Sequence, residues 1–211
     1  MDKRREYRRG TLEMADLPAC PFTALQEWMD TARAAAAVVD PGAMVVSTVG
    51  ADGRPTARAV LLKGISADRG LFFYSDYRSE KARNLSASPF TEAVLLWTPL
   101  ERQVRVRGPV NRMSTDASDA YWSSRPRSSQ IAALASHQSA PLASRATLEE
   151  RLAQLDKTLP SEPIPRPAWW GGFVIVPDRF EFWQGRPSRL NDRIIYRPGE
   201  QGQWRVSLLN P

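Results

Sequence analysis

The strongest constraint on this chain lies between residues 43 and 110, where β-rich runs follow one another with short turns and one brief helix. The runs cover 43–49 (AMVVSTV), 57–65, 71–75, 91–97 and 103–110. Asp52-Gly53 sits between the first two, a pairing that favours a tight hairpin because both residues tolerate positive φ. A short helix over 79–85 stops before Pro89, and Pro99 separates the last two runs. Parallel neighbours would need crossover helices after nearly every strand, so the pattern predicts an antiparallel barrel and excludes a βαβ sheet.

The flanking segments are read as cover for that barrel. Phe22, Leu25, Trp28, Met29 and Ala32 recur at helical spacing, which predicts a core-facing helix over 22–37. Helices are predicted over 116–123 and 130–135, and the capping-box pattern Thr147-Leu148-Glu149-Glu150 opens another that reaches Leu159. The Pro-rich stretch 160–167 ends it. Strands follow at 173–176, 179–183, 194–196 and 204–208. The expectation is an α+β fold, a mostly antiparallel barrel with surrounding helices, formed by one domain over 21–211 after a charged arm over 1–20. At 211 residues the chain is long enough to bury one substantial core.

Composition narrows the chemistry. Cys20 is the one cysteine and His137 the one histidine, so a Cys/His zinc site within the chain is excluded, and no Asp-rich calcium loop is present; no metal is expected. No internal disulfide can form, no apolar run reaches the roughly 18 residues of a membrane span, and MDKRREYRRG lacks the apolar core of a secretory signal. The expected location is therefore the cytoplasm, with no membrane partner. A net charge of +6 suits anionic partners, but the arginines are spread along the chain without a nucleic-acid-binding motif, so small phosphorylated molecules are expected and nucleic acid is not.

No glycine-rich nucleotide loop is present, so any phosphate must be held by side chains. Three clusters offer them. Arg58 and Lys63 bracket the apolar run Ala59-Val60-Leu61-Leu62, with Tyr74-Ser75 and Lys81 downstream. Tyr121, Arg125, Arg127, Ser129 and Gln130 interleave hydroxyl and guanidinium groups. Trp183, Arg189, Asn191, Asp192 and Arg193 form the third. Such groups converging on a dianion make charge-assisted hydrogen bonds, although spacing alone is also compatible with solvated faces.

In this order the segments RREY (4–7), RAVLLK (58–63), FYS (73–75), LERQVRVRG (100–108), YWSSRPRSSQ (121–130), QS (138–139), WWGGF (169–173), EFWQG and RLNDR (within 181–193) resemble the pyridoxine (pyridoxamine) 5′-phosphate oxidase family over nearly the whole chain. The resemblance implies a split β-barrel homodimer with FMN at the subunit interface. It also implies oxidation of pyridoxamine or pyridoxine 5′-phosphate by O2 to pyridoxal 5′-phosphate, with release of hydrogen peroxide. The implied FMN contacts are Arg58, Ala59, Val60, Leu61, Leu62 and Lys63; Tyr74, Ser75 and Lys81; and Gln103, Gln138, Ser139, Trp183 and Arg193. For substrate they are Lys63, Tyr121, Arg125 and Ser129, together with Arg189 and Asn191 as the catalytic pair and the arm residues Arg4, Arg5 and Tyr7 as a cover.

Two positions depart from the family pattern. Asn191 stands where the family usually has histidine, and an amide cannot titrate near neutral pH. Glu80 stands where a basic residue is common, which would weaken the hold on the FMN phosphate. The rival implied by Asn191 is an FMN-binding split-barrel flavoprotein with altered substrate or low oxidase activity.

Overall fold

The computed structural model describes residues 6–160 and 163–211. Helix α1 (Pro21–Ala34) precedes β1 (Ala43–Val49), β2 (Pro55–Leu61), β3 (Gly64–Ser66) and β4 (Gly70–Asp76). Then come α2 (Glu80–Ala87), β5 (Phe90–Trp97), β6 (Arg102–Arg112), α3 (Thr115–Ser124), α4 (Arg127–Ala135) and α5 (Arg145–Thr158). The chain closes with β7 (Trp170–Ile175), β8 (Arg179–Gln184), β9 (Asp192–Pro198) and β10 (Trp204–Leu208). The sheet runs β10-β9-β8-β6-β5-β1-β2, with a branch β3-β4-β7-β6, and its pairings are antiparallel. This curled, split antiparallel barrel with surrounding helices is the architecture expected from the sequence.

The branch point is β6. Its residues 102–107 pair with β8, and after Gly108 its residues 110–112 pair with β7. A Cβ on Gly108 would lie 2.0 Å from the Val176 carbonyl oxygen, so only glycine lets the backbones cross where one strand changes partner. A similar switch breaks the run expected at 57–65 into β2 and β3. Leu62 donates its N–H to the Gly42 carbonyl while Lys63 donates to that of Phe72, so the chain leaves β1 for β4 at this corner.

Alternation sets the core. In β1 Met44, Val46 and Thr48 face inward, and Ala24, Leu25, Trp28, Met29 and Ala32 of α1 are buried. Trp28 meets Phe182 edge-on at 5.1 Å. Each such buried large side chain contributes roughly 1.5–3 kcal/mol. Leu12, from the segment expected as an arm, is 5% exposed within this same core, and its N–H donates to Asp192.

Three helix boundaries differ from expectation. Helix α1 ends at Ala34, where Ala35 turns to an extended conformation. Helix α4 begins at Arg127, directly after the Pro126 N-cap. In α5 the N-cap is Ser144, whose hydroxyl accepts from the Thr147 N–H at 3.1 Å, so the Thr147–Glu150 pattern lies inside the helix. The nearer serine satisfies the orphan amide first.

A candidate phosphate and ring-binding cleft

A cleft of about 760 Å³ opens between β2, β4 and the α3–α4 pair, within the volume range of ligand sites. Twelve of the anticipated residues line it: Arg58, Ala59, Val60, Leu61 and Lys63; Tyr74, Ser75 and Lys81; and, from the helical side, Tyr121, Arg125, Ser129 and Gln138.

One end is a cationic cradle. Lys81, on the first turn of α2, is 6% exposed, and its ammonium donates to Ser75 Oγ (3.0 Å) and Gln138 Oε1 (2.7 Å). Ser75 Oγ also donates to Gln138 Oε1 at 2.9 Å. Burial, and then the neighbouring Arg58 charge, pull Lys81 down to about 8. Arg58 is held from behind by donating to Thr48 Oγ1 and Thr56 Oγ1, each at 2.7 Å. Glu80 reaches Arg58 at 3.9 Å. Asp76 also faces the cradle and its charge partly offsets the fall at Lys81, but its hydrogen bonds go to Arg78: burial raises the Asp76 pKa, and the Arg78 hydrogen bonds and charge outweigh that and lower it overall.

The other end is aromatic and basic. Tyr74 and Tyr121 stack at 3.7 Å, and Tyr74 lies nearly parallel to Trp170 at 5.7 Å. Burial, then the neighbouring tyrosines, raise the Tyr74 pKa. A side chain at Gly172 would strike the Tyr74 ring at 2.9 Å, which accounts for the glycine in WWGGF. Arg125 lies over Trp170 (4.6 Å) and Trp122 (5.1 Å), and its Nη1 is buried with no hydrogen-bond partner. A buried guanidinium nitrogen without an acceptor costs free energy, which an anionic ligand would recover.

The remaining anticipated residues lie elsewhere. Tyr7, Gln103 and Trp183 line a second cleft of about 320 Å³ with Glu101 and Arg102, and no residue lines both. Tyr7 meets Trp183 edge-on at 5.5 Å. Glu101 fastens this segment by accepting the Arg8 and Arg9 amides at 2.8 and 2.9 Å. Leu62 faces away from the first cleft at the β2–β3 corner, and Ser139, exposed with φ 69°, is not in its wall. Arg189, Asn191 and Arg193 line neither cleft. Arg4 and Arg5 lie outside the described residues.

Arg193 instead donates to Glu181 at 2.8–2.9 Å. Glu181 is 2% exposed and also holds Arg179 (2.8 Å) and Arg105 (3.5 Å). Sequence reading missed Glu181, Trp170 and Glu101. Trp170 had a signal in its glycine-flanked motif, whereas a buried acid among arginines shows no periodicity that marks it.

Among the described residues no group of three or more His, Cys, Asp and Glu side chains is placed to hold a metal ion, and no helix is long and apolar enough to cross a membrane. Comparison with known proteins adds the following. Residues 31–158 match the family model described as pyridoxamine 5′-phosphate oxidase, and residues 170–211 match the pyridoxine 5′-phosphate oxidase C-terminal dimerisation region. A pyridoxine/pyridoxamine 5′-phosphate oxidase of Bordetella petrii is 47% identical, covering 100% of this chain and 98% of the relative. One from Rubrobacter xylanophilus is 45% identical over 99% and 94%. Among solved structures, PhzG from Burkholderia lata, in complex with tetrahydrophenazine-1-carboxylic acid, superposes with a TM-score of 0.87 at 28% identity, covering 95% of this chain and 98% of that one. A related FMN-binding protein from Nostoc punctiforme, at 20% identity and TM-score 0.73 over 90% and 96%, shares the fold.

Proposed function

The chain belongs to the pyridoxamine 5′-phosphate oxidase family, and from that premise we propose that it is an FMN-dependent oxidase of pyridoxamine or pyridoxine 5′-phosphate. The observation that carries the reading is a single cleft with two separate cationic features, the Lys81–Arg58 cradle and the buried, unpartnered Arg125 Nη1. Two phosphorylated aromatic molecules need two such anchors.

The residues fit the cofactor. Arg58, Lys81 and Ser75 would hold the FMN phosphate by charge-assisted hydrogen bonds, and the strand 58–63 would flank the rest. When bound, the flavin would supply the redox chemistry, a two-electron oxidation of the substrate C4′ group in which O2 takes up the two electrons and two protons as hydrogen peroxide. Lys63, Tyr121, Arg125 and Ser129 would fix the substrate phosphate, and orienting it in this way is worth several kcal/mol of barrier without any acid or base. Tyr121, stacked on Tyr74, and Trp170 beside it keep water from one wall.

Gln103, Trp183, Arg189 and Arg193 belong to the proposal as contacts supplied across a homodimer, with Tyr7 as cover. The match of residues 170–211 to a dimerisation region supports this arrangement, since Trp183, Arg189 and Arg193 fall within it. Arg4 and Arg5 keep the role the resemblance implies, and Leu62 and Ser139 remain proposed FMN contacts through groups outside the cleft wall. The cytoplasm is the proposed location.

A second reading, an oxidase of the same fold acting on a different substrate, is favoured by the likeness to PhzG. Incubating the yellow protein in air with pyridoxamine 5′-phosphate, pyridoxine 5′-phosphate and unphosphorylated pyridoxamine decides between them. Pyridoxal 5′-phosphate and peroxide in equal amounts are expected from a phosphorylated vitamer; flavin retained with no product would overturn the proposal.

A further inference from the structure

The turn between β8 and β9 is closed in an unusual way. The ladder ends at Gln184↔Asp192, and beyond it Gly185 donates its N–H to the Glu101 carbonyl, leaving Arg186 without a strand partner. The Arg186 N–H instead meets the side-chain carbonyl of Asn191 at 3.0 Å. Inside this loop Ser188 (φ 55°) and Arg189 (φ 61°) are both left-handed, with Leu190 N–H returning to the Pro187 carbonyl at 3.2 Å. That is the form of a type I′ turn, which favours Asn and Gly at its centre and here carries Ser and Arg. Conformations of this kind persist only where the surroundings over-determine them.

The surroundings do so from one side. Asp192 accepts from Arg186 Nη1 (3.3 Å) and from the Leu12 amide (2.8 Å), which pins the base of the turn to the barrel. Asn191 pins its neck. Arg189 is exposed, and among the described residues it has no hydrogen-bond or ion-pair partner. With no side-chain partner, the backbone of the turn is what sets where its side chain leaves the loop.

We propose that Asn191 is a positioning residue: its side-chain carbonyl stands in for a missing ladder acceptor, holds Ser188 and Arg189 left-handed, and so presents Arg189 to the substrate. The acceptor oxygen is committed to Arg186, and the position moves no proton. That Arg189 meets substrate is taken from the proposed function; the lock on the turn is not.

Three variants separate the roles. Asn191→Asp keeps the acceptor and removes the amide donors, whereas Asn191→Ala removes both. Asn191→Ala is expected to raise KM for the phosphorylated vitamer about tenfold with a smaller loss in kcat and an unchanged pH profile, and Asn191→Asp to recover most of that loss. In the Arg189→Ala background Asn191→Ala should add less than about twofold, because both act through one contact. Trypsin supplies a readout independent of turnover. Cleavage after Arg189 should be about tenfold faster in Asn191→Ala than in the wild type, with Asn191→Asp close to the wild type.

Equal losses in the Asp and Ala variants, independent losses with Arg189→Ala, or a pH limb that disappears with Asn191 would each overturn the proposal. So would identical trypsin rates in all three proteins. If the wild type makes no pyridoxal 5′-phosphate yet the cleavage order is as expected, the function falls and the turn lock stands.

Discussion

The first cleft and the β8–β9 region are both rich in cations, and they differ in what faces those cations. Around Lys81 and Arg125 the hydrogen-bond and stacking partners are hydroxyls, an amide oxygen and aromatic faces, with Glu80 at 3.9 Å from Arg58 and Asp76 paired to Arg78. Around Arg193, Arg179 and Arg105 a buried carboxylate, Glu181, is already in place. A cation matched by an acid chiefly stabilises the fold, and in its proposed FMN contact Arg193 would be held in place by Glu181; a cation left with neutral partners is poised for a ligand. Both regions look alike as sequence, since each is a set of basic residues scattered over several segments.

The sharpest way to break this contrast is Glu181→Ala. Removing one partner from a buried ionic cluster costs about 3–5 kcal/mol. The melting temperature should therefore drop by roughly 6–20 °C. An unchanged melting temperature would show that the arginines there need no internal acid.

Lys81→Met tests the opposite case. Loss of the ammonium should weaken FMN binding by about 100-fold in a fluorescence titration, in line with a lost charge-assisted bond. The apo protein should melt no lower, because a buried, uncompensated ammonium is removed. Arg125→Met is expected to raise KM for the phosphorylated vitamer by about 30-fold while leaving FMN affinity within twofold, steady-state kinetics and titration giving the two numbers. If FMN affinity falls instead, the assignment of the two ends of the cleft is reversed.

The Lys81 value sets a pH dependence. Its folded value, about 8, lies below the ordinary lysine value of 10.5. The apo fold thus carries the burden of the charged form below pH 8 and regains stability as pH rises from about 8 toward 10.5. A phosphate needs the ammonium, so FMN affinity should be greatest below pH 8 and about tenfold weaker at pH 9 than at pH 7. A flat profile across that window, measured by flavin fluorescence, would remove Lys81 from the phosphate contact. The smallest effect belongs to Glu80, half exposed and 3.9 Å from Arg58. Glu80→Gln should tighten FMN by about two- to fivefold, the scale of an exposed charge pair.

Much of the architecture was legible because it is local. Alternation in 43–49 and the Asp52-Gly53 turn are satisfied by residues a few positions apart, so β1 and β2 appear where periodicity places them. The break at Leu62–Lys63 was not, because it depends on Gly42 and Phe72 offering carbonyls at a barrel corner. The same division holds in the site. Arg58, Ser75 and Lys81 were readable as a set, and Gln138, brought in from 57 positions beyond Lys81, came from the family resemblance.

By itself the amino-acid order determined the strand and helix succession, the antiparallel character, the absence of a Cys/His metal set, and the kinds of groups available to grip phosphate. Only the tertiary structure decided which cations are neutralised and which are left for a ligand, that Trp170 backs the aromatic wall, and that Asn191 is spent on a left-handed turn. The physical reason is range: hydrogen-bonded periodicity is set by neighbours along the chain, whereas charge pairing and burial are set by residues that meet only after the sheet has curled.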